Sequence, residues 1–435
     1  MSIPVVTVGQ SREDLVGGLE RLHGPVTVVR RCAELPELLA ACQSGLARAA
    51  VVADGSEGLT ASLVDRLGAV GVAIIALTDS AEEAVRLRKI GVASALKGVQ
   101  SAELSDRIAD AVEQLTGAPG RTVATSSLAD TGAALHPMTA EPDPEAGRPG
   151  EGRVIAVWGP AGSPGRTTLA ANMAAELAAD GEQVLLIDAD SYGASVAAVL
   201  GLLDESAALA QACRLADQGA LDADALRRLA APVATTAGTF KVLTGITRAD
   251  RWTELRAPAL AIVLERSRQI ADVVVVDTGF CLEADEELSF DTMAPRRNGA
   301  TLCALELADT VFAVGAADPV GVPRLVKGLV ELENAVPQAV PTVVMNKVRS
   351  SSVGRGPERQ LRDAWERYGP ASKLQAFLPY DIAAADAALL AGSLLLESSP
   401  DSPLRRSIRE LVCAPVQQMS KSSVFSSTAG RRAKD

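Results

Sequence analysis

Val154-Ile-Ala-Val-Trp-Gly-Pro-Ala-Gly-Ser-Pro-Gly-Arg-Thr-Thr-Leu-Ala170 begins as an unbroken apolar run. It then passes through a loop of glycine, proline and small residues, and resumes as a helix opening on two threonines. A buried strand, a tight loop and a helix start in this order make a cradle for phosphate. Gly162 and Gly165 permit backbone angles that aim several N–H groups, with that of Ser163 among them, at one anion. The helix starting near Arg166 adds its positive end. The Thr167 hydroxyl suits Mg²⁺, and Thr168 suits an inner phosphate. The pattern GxxxxGK[ST] is broken twice, by Pro160 in place of the first glycine and by Arg166 in place of lysine. Arginine keeps its charge and binds phosphate, but its planar fork is not a compact ammonium. The expectation is a loop that holds phosphates and serves the transition state poorly.

Two further stretches carry carboxylates at strand ends. Val184-Leu-Leu-Ile-Asp-Ala-Asp190 closes an apolar strand on Asp188 and Asp190, which alternation puts on one side. One suits activating a water, the other holding a water on Mg²⁺. Asp272-Val-Val-Val-Val-Asp277 closes a second strand on a carboxylate suited to water-mediated Mg²⁺ binding. Parallel strands present such residues at the carboxyl edge of an open sheet, where ligands bind.

The three stretches together resemble the MinD/ParA class of deviant Walker ATPases over residues 153–416, and within it the CpaE/TadZ branch. The resemblance implies ATP and Mg²⁺ as cofactors. It implies phosphate contacts from Gly162, Ser163, Gly165, Arg166, Thr167 and Thr168, and metal contacts from Thr167 and Asp277. Asp188 would activate water with Asp190 beside it, and Arg166 would supply charge. Asn346-Lys347 and Pro379 match positions near the base. The class carries a second lysine early in the loop, where Ala161 stands here. Losing a transition-state cation can cost on the order of 10³-fold in rate, so weak or absent hydrolysis is expected. Arg296 and Arg297, beyond the third stretch, are candidates for replacement charge.

Residues 1–116 alternate strand and helix patterns as five βα units, a small parallel sheet that resembles a receiver domain. Asp54, Thr78 and Lys97 carry that resemblance. The acidic pair expected after the first strand is missing, since Gly9-Gln10-Ser11 stands there, so docking is expected rather than phosphorylation of Asp54. The fold class read here is α/β: two doubly wound parallel-sheet domains, a receiver-like (flavodoxin-like) domain and then a P-loop NTPase domain at 153–416. Residues 117–152 read as a disordered linker and 417–435 as a flexible tail.

The bulk composition narrows the function. Six cysteines without a CxxC pair fit a reduced compartment. Only two histidines are present, and His136 lies in the linker, which counts against histidine metal sites and triads. No apolar run spans a bilayer and no leader pattern opens the chain, so a cytoplasmic protein is expected, peripheral to the inner membrane at most. A net charge of −12 argues against a broad DNA-binding surface.

Three readings stay open. The first is an ATP-dependent homodimer that positions pilus, secretion or division proteins at a pole or septum. The second is a non-hydrolysing pseudo-ATPase scaffold. The third is a chromosome or plasmid partitioning ATPase.

Overall fold

The computed structural model describes residues 2–9, 15–22, 24–116, 152–202, 206–284 and 296–413. The linker expected at 117–152, apart from Gly152, and the expected tail lie outside the described residues, as does His136. Gly152 belongs with the second unit: its N–H donates to the Arg268 carbonyl at 2.9 Å.

The N-terminal unit holds five strands, β1 (Ile3–Val8), β2 (Val26–Cys32), β3 (Ala49–Val52), β4 (Ala73–Leu77) and β5 (Ala93–Ala95). Its helices are α1 (Leu15–Arg21), α2 (Leu35–Gln43), α3 (Ala61–Ala69), α4 (Ala81–Lys89) and α5 (Ser101–Thr116). The sheet order is β2-β1-β3-β4-β5, parallel throughout, which is the doubly wound order expected. β3 and β4 are buried along their whole length, as strands covered on both faces must be. The Thr60 and Ser80 side chains cap α3 and α4 by accepting the N–H groups of Leu63 and Glu83.

The second unit is an eight-stranded sheet. Its strands are β6 (Arg153–Trp158), β7 (Val184–Ala189), β8 (Ala231–Ala234), β9 (Thr239–Leu243), β10 (Val273–Thr278), β11 (Thr310–Ala316), β12 (Pro341–Val348) and β13 (Leu374–Pro379). The order is β13-β12-β11-β6-β10-β7-β9-β8. Its helices are α6 (Arg166–Ala179), α7 (Val196–Val199), α8 (Ala208–Asp217), α9 (Ala223–Leu229), α10 (Ala257–Arg268), α11 (Gly299–Leu307), α12 (Gly321–Ala335), α13 (Ser350–Val353), α14 (Pro357–Tyr368), α15 (Ile382–Ala391), α16 (Leu395–Ser398) and α17 (Pro403–Cys413). All pairings are parallel except β8 against β9.

The sequence reading missed β8 and β13, which close the two edges. Pro232 is tolerated in the first because β8 is an edge strand, where not every N–H needs a ladder partner. β13 mixes exposed and half-buried residues and lacks a clean period of two.

Period-two alternation assigns the core. Val274 and Val276 of β10 face Leu209 of α8, Leu260 of α10 and Ala304 of α11. Val273 and Val275 face Leu169 and Met173 of α6 and Leu404 and Ile408 of α17. Trp158 turns into a third cluster with Leu325 and Leu329 of α12. The two units touch where α3 packs on α10, and Ile262 of α10 rests against the core of the N-terminal unit. Among the described residues no helix is long and apolar enough to cross a membrane.

All three tryptophans, Trp158, Trp252 and Trp365, lie in the second unit, so their fluorescence reports on it alone. Leu186 of β7 is fully buried between α6 and the sheet. Leu186→Ala is expected to lower its unfolding free energy by about 2–5 kcal/mol, read from the urea midpoint of tryptophan emission.

Candidate functional site

β6 ends at Trp158 and the chain turns sharply through the loop. Gly162 and Gly165 take φ of 112° and 101°, and Ser163, without glycine's freedom, takes 53°. A side chain at Gly165 would collide with the Asn346 amide, so only glycine fits there. Asn346 and Lys347, at the end of β12, hold the loop from outside. The Asn346 amide donates to the Pro164 carbonyl at 2.8 Å, and the Lys347 ammonium donates to the Ser163 carbonyl at 2.7 Å. Lys347 is itself left-handed, at φ 59°. Pro379 stands beside β12 at the end of β13, paired with Val348. It joins the group through Arg349, which donates to the Lys347 carbonyl at 3.1 Å and lies over the Tyr380 ring. Thr168 lies in the first turn of α6, where its carbonyl accepts the Asn172 amide at 2.8 Å.

Asp188 and Asp277 are direct register partners on the adjacent strands β7 and β10, and both are buried. The Thr167 hydroxyl donates to Asp277 Oδ2 at 2.6 Å, while Asp277 Oδ1 is buried without a partner. Asp188 accepts the N–H of Val196 at 2.9 Å and of Asp190 at 3.3 Å. Burial pushes the Asp188 carboxyl up to about 6; the backbone N–H groups of Val196 and Asp190 oppose it, and the Asp190 charge adds to it. Burial holds Asp277 well above the usual carboxylate range. The Asp188 charge adds to that, and the Thr167 hydroxyl and the Arg166 charge pull against it.

Arg166 lies along the loop. Nη1 donates to the Gly159 carbonyl at 2.9 Å, and Nη2 pairs with Asp190 at 3.2 Å with both side chains largely buried. Its Nε is buried without a partner. Asp190 also accepts the N–H of Tyr192 at 2.8 Å and of Gly193 at 3.2 Å. It closes a turn and pins Arg166.

The two arginines beyond β10 part company. Arg297 lies 3.9 Å over the Tyr192 ring and exchanges hydrogen bonds with Ser191, beside Asp190. The Arg296 side chain is exposed. Arg297 lies next to the site.

Sequence reasoning missed three contributors. Ser195 brings its hydroxyl 3.4 Å from that of Thr167. The Tyr192 hydroxyl donates to Asn298 at 2.8 Å, and Asn298 donates to the Glu283 carbonyl at 2.9 Å. Tyr192 and Asn298 stand next to the motifs that were read; nothing in the sequence marks Ser195.

Thr167, the unpartnered oxygen of Asp277 and Asp188 fit a Mg²⁺ that keeps water and phosphate as its other ligands. Among the described residues no group of three or more His, Cys, Asp or Glu side chains could hold a metal alone. Left-handed glycines, a helix N-terminus and a hydroxyl on a buried strand-end carboxylate define a phosphate-loop nucleotide-binding domain. A family model for the CobQ/CobB/MinD/ParA nucleotide binding domain matches residues 155–391, and the chain belongs to that family.

No curated protein matches the chain. Solved structures do, at low identity. The cell division ATPase MinD of Pyrococcus furiosus is 22% identical with a TM-score of 0.46, covering 60% of this chain and 97% of that one. The septum site-determining protein MinD of Pyrococcus horikoshii, solved with Mg-ADP, is 17% identical with a TM-score of 0.45 over 60% and 94%. A ParA family ATPase of Chlorobium tepidum is 16% identical with a TM-score of 0.47 over 60% and 99%.

The raised Asp188 carboxyl gives a pH signature. The folded chain keeps this proton above the pH at which the unfolded chain releases it. The contribution to stability is therefore complete below about 4 and is lost as pH rises to about 6. Without nucleotide, Asp188→Asn is expected to flatten this part of the stability profile, seen in urea midpoints at pH 5 and 7.

Proposed function

We propose that the chain is an ATP- and Mg²⁺-dependent switch of the MinD/ParA kind, which dimerises on nucleotide and positions other proteins. The observation that carries this reading is the Thr167 hydroxyl on Asp277, with one Asp277 oxygen buried and unpartnered beside Asp188. Bound MgATP supplies the cation that two abutting buried carboxylates lack, and a phosphoanhydride to cleave. Thr167 and Asp277 would hold the metal. The N–H groups of Gly162, Ser163, Gly165, Arg166, Thr167 and Thr168 would hold the phosphates. Asn346, Lys347 and Pro379 border the base side.

Asp188 is the candidate base for the attacking water. Its burial disfavours the charged form and so makes its carboxylate a stronger base than an exposed aspartate. Asp190 positions Arg166. With Arg166 engaged by Gly159 and Asp190, and Ala161 at the second lysine position, transition-state charge is thin and hydrolysis is slow. The Arg166–Asp190 pair is also what favours the second reading, a pseudo-ATPase scaffold that binds without turnover. The net charge of −12 sets partitioning on DNA last.

In this reading the N-terminal unit is a receiver-like docking module. Lys97 pairs with Asp54 at 2.8 Å on its exposed edge, so the position a receiver would phosphorylate carries a fixed counter-charge. The partners proposed are a second copy of the chain and pilus, secretion or division proteins at a cell pole or septum. The place is the cytoplasm, peripheral to the inner membrane.

The test is calorimetric titration of the full chain with MgATP, alongside phosphate release. Saturable binding is expected, lowered about tenfold or more by Thr167→Ala, the loss of one charge-assisted contact. Arg166→Lys is expected to raise turnover by on the order of tenfold or more, by restoring the compact cation. No heat at millimolar nucleotide would sink the switch. Binding with no turnover in either the wild type or the lysine variant would leave the scaffold.

A further inference from the structure

The cations already described at the phosphate loop are engaged by the protein itself. Arg166 places Nη1 on the Gly159 carbonyl and Nη2 on Asp190. The Lys347 ammonium lies on the Ser163 carbonyl at 2.7 Å. Ala161 brings no charge. Bound phosphates carry several full negative charges, which the partial charges of backbone N–H groups offset only in part.

A further guanidinium reaches the loop from α12. Arg324, in the first turn of that helix, brings Nη1 so near Gly162 that a methyl group on the glycine would lie 2.6 Å from it. Gly162 thus serves twice: its φ of 112° turns the loop, and its bare Cα leaves room for the guanidinium. Arg324 is exposed, and among the described residues its side chain has no hydrogen-bond or ion-pair partner. A cavity of about 100 Å³ opens beside it, lined in part by Pro160, Ala161, Gly162, Pro164 and Gly321.

Backbone packing, and not a partner for its charge, puts Arg324 there. A methyl group on Gly321 would collide with the Ala316 carbonyl, and one on Gly315 with the Leu325 side chain, so α12 sits tight against the end of β11. Gly328 lets the same helix lie on the Trp158 ring at the end of β6. Asp318 accepts the N–H groups of Val320 at 2.9 Å and Gly321 at 2.8 Å and pins the turn into the helix. The Ala317 N–H donates to the carbonyl of Asn346, the residue whose amide holds the loop at Pro164.

We propose that Arg324 is a nucleotide-binding residue: its guanidinium pairs with the phosphates held in the loop it borders and supplies charge on the flank where Ala161 brings none. The proposal rests on the nucleotide reading above. Arginine stays charged at any pH the fold survives, and its position beside Gly162 is set before a ligand arrives. An anion entering the loop meets a cation that need break no internal bond to bind it.

The test is calorimetric titration of the full chain with MgADP, comparing wild type, Arg324→Gln and Arg324→Lys. Arg324→Gln, which keeps a polar chain without the charge, is expected to weaken binding by about fivefold or more. Arg324→Lys, which keeps the charge on a long stem, is expected to stay within about twofold of wild type. Heat in wild type that Arg324→Gln leaves unchanged overturns the role of Arg324 and spares the nucleotide reading. A lysine variant as weak as the glutamine one also overturns it, because the shape of the side chain rather than its charge would then matter. No heat in wild type at millimolar MgADP defeats the nucleotide reading, and the role of Arg324 falls with it.

Discussion

Two carboxylates, Asp188 and Asp277, sit side by side in register at the carboxyl ends of adjacent parallel strands, and both are buried. Like charges so placed cannot both ionise without a cation, and burial makes each costlier. Much of the surrounding structure answers that problem. Thr167 donates to one, the N–H groups of Val196 and Asp190 donate to the other, and the positive end of α6 points at the same place. One oxygen of Asp277 is left without a donor. In the function proposed above a divalent cation would complete this site, and the loop above it would present N–H groups to the phosphates that bring one.

Arg166 complicates the picture in a useful manner. A lysine in its place would be a mobile point charge. The arginine is instead held by both terminal nitrogens of its guanidinium, Nη1 on Gly159 and Nη2 on Asp190. Asp190 thereby becomes part of the scaffolding of the loop. The same turn carries Tyr192, which links it to Arg297 and Asn298 beyond β10.

Much of this was legible in the sequence. The strand cores were readable because parallel strands buried on both faces are written as unbroken apolar runs, Val273 to Val276 being the plainest. The loop glycines were readable because left-handed backbone leaves few alternatives. The edge strands β8 and β13 were not, because an edge needs neither full burial nor every N–H, and Pro232 is tolerated there. Ser195 was not, because its approach to Thr167 depends on how the chain leaves β7. Arg296 and Arg297 were read as one pair. That Arg297 packs on Tyr192 while Arg296 is exposed follows from the turn before α11, which local pattern does not encode. Family membership over residues 155–391 agrees with the reading of the motifs.

The most direct measurement is the number of protons released when MgADP binds near pH 6, from calorimetry in two buffers of different ionisation enthalpy. If the metal–nucleotide completes the buried carboxylate pair, binding must drive proton loss from it. Wild type should then release more protons than Asp188→Asn, with the difference fading above pH 7. Equal release by the two proteins across that range, with binding intact, would contradict the account, because the buried carboxylates would then take no part in holding the ligand.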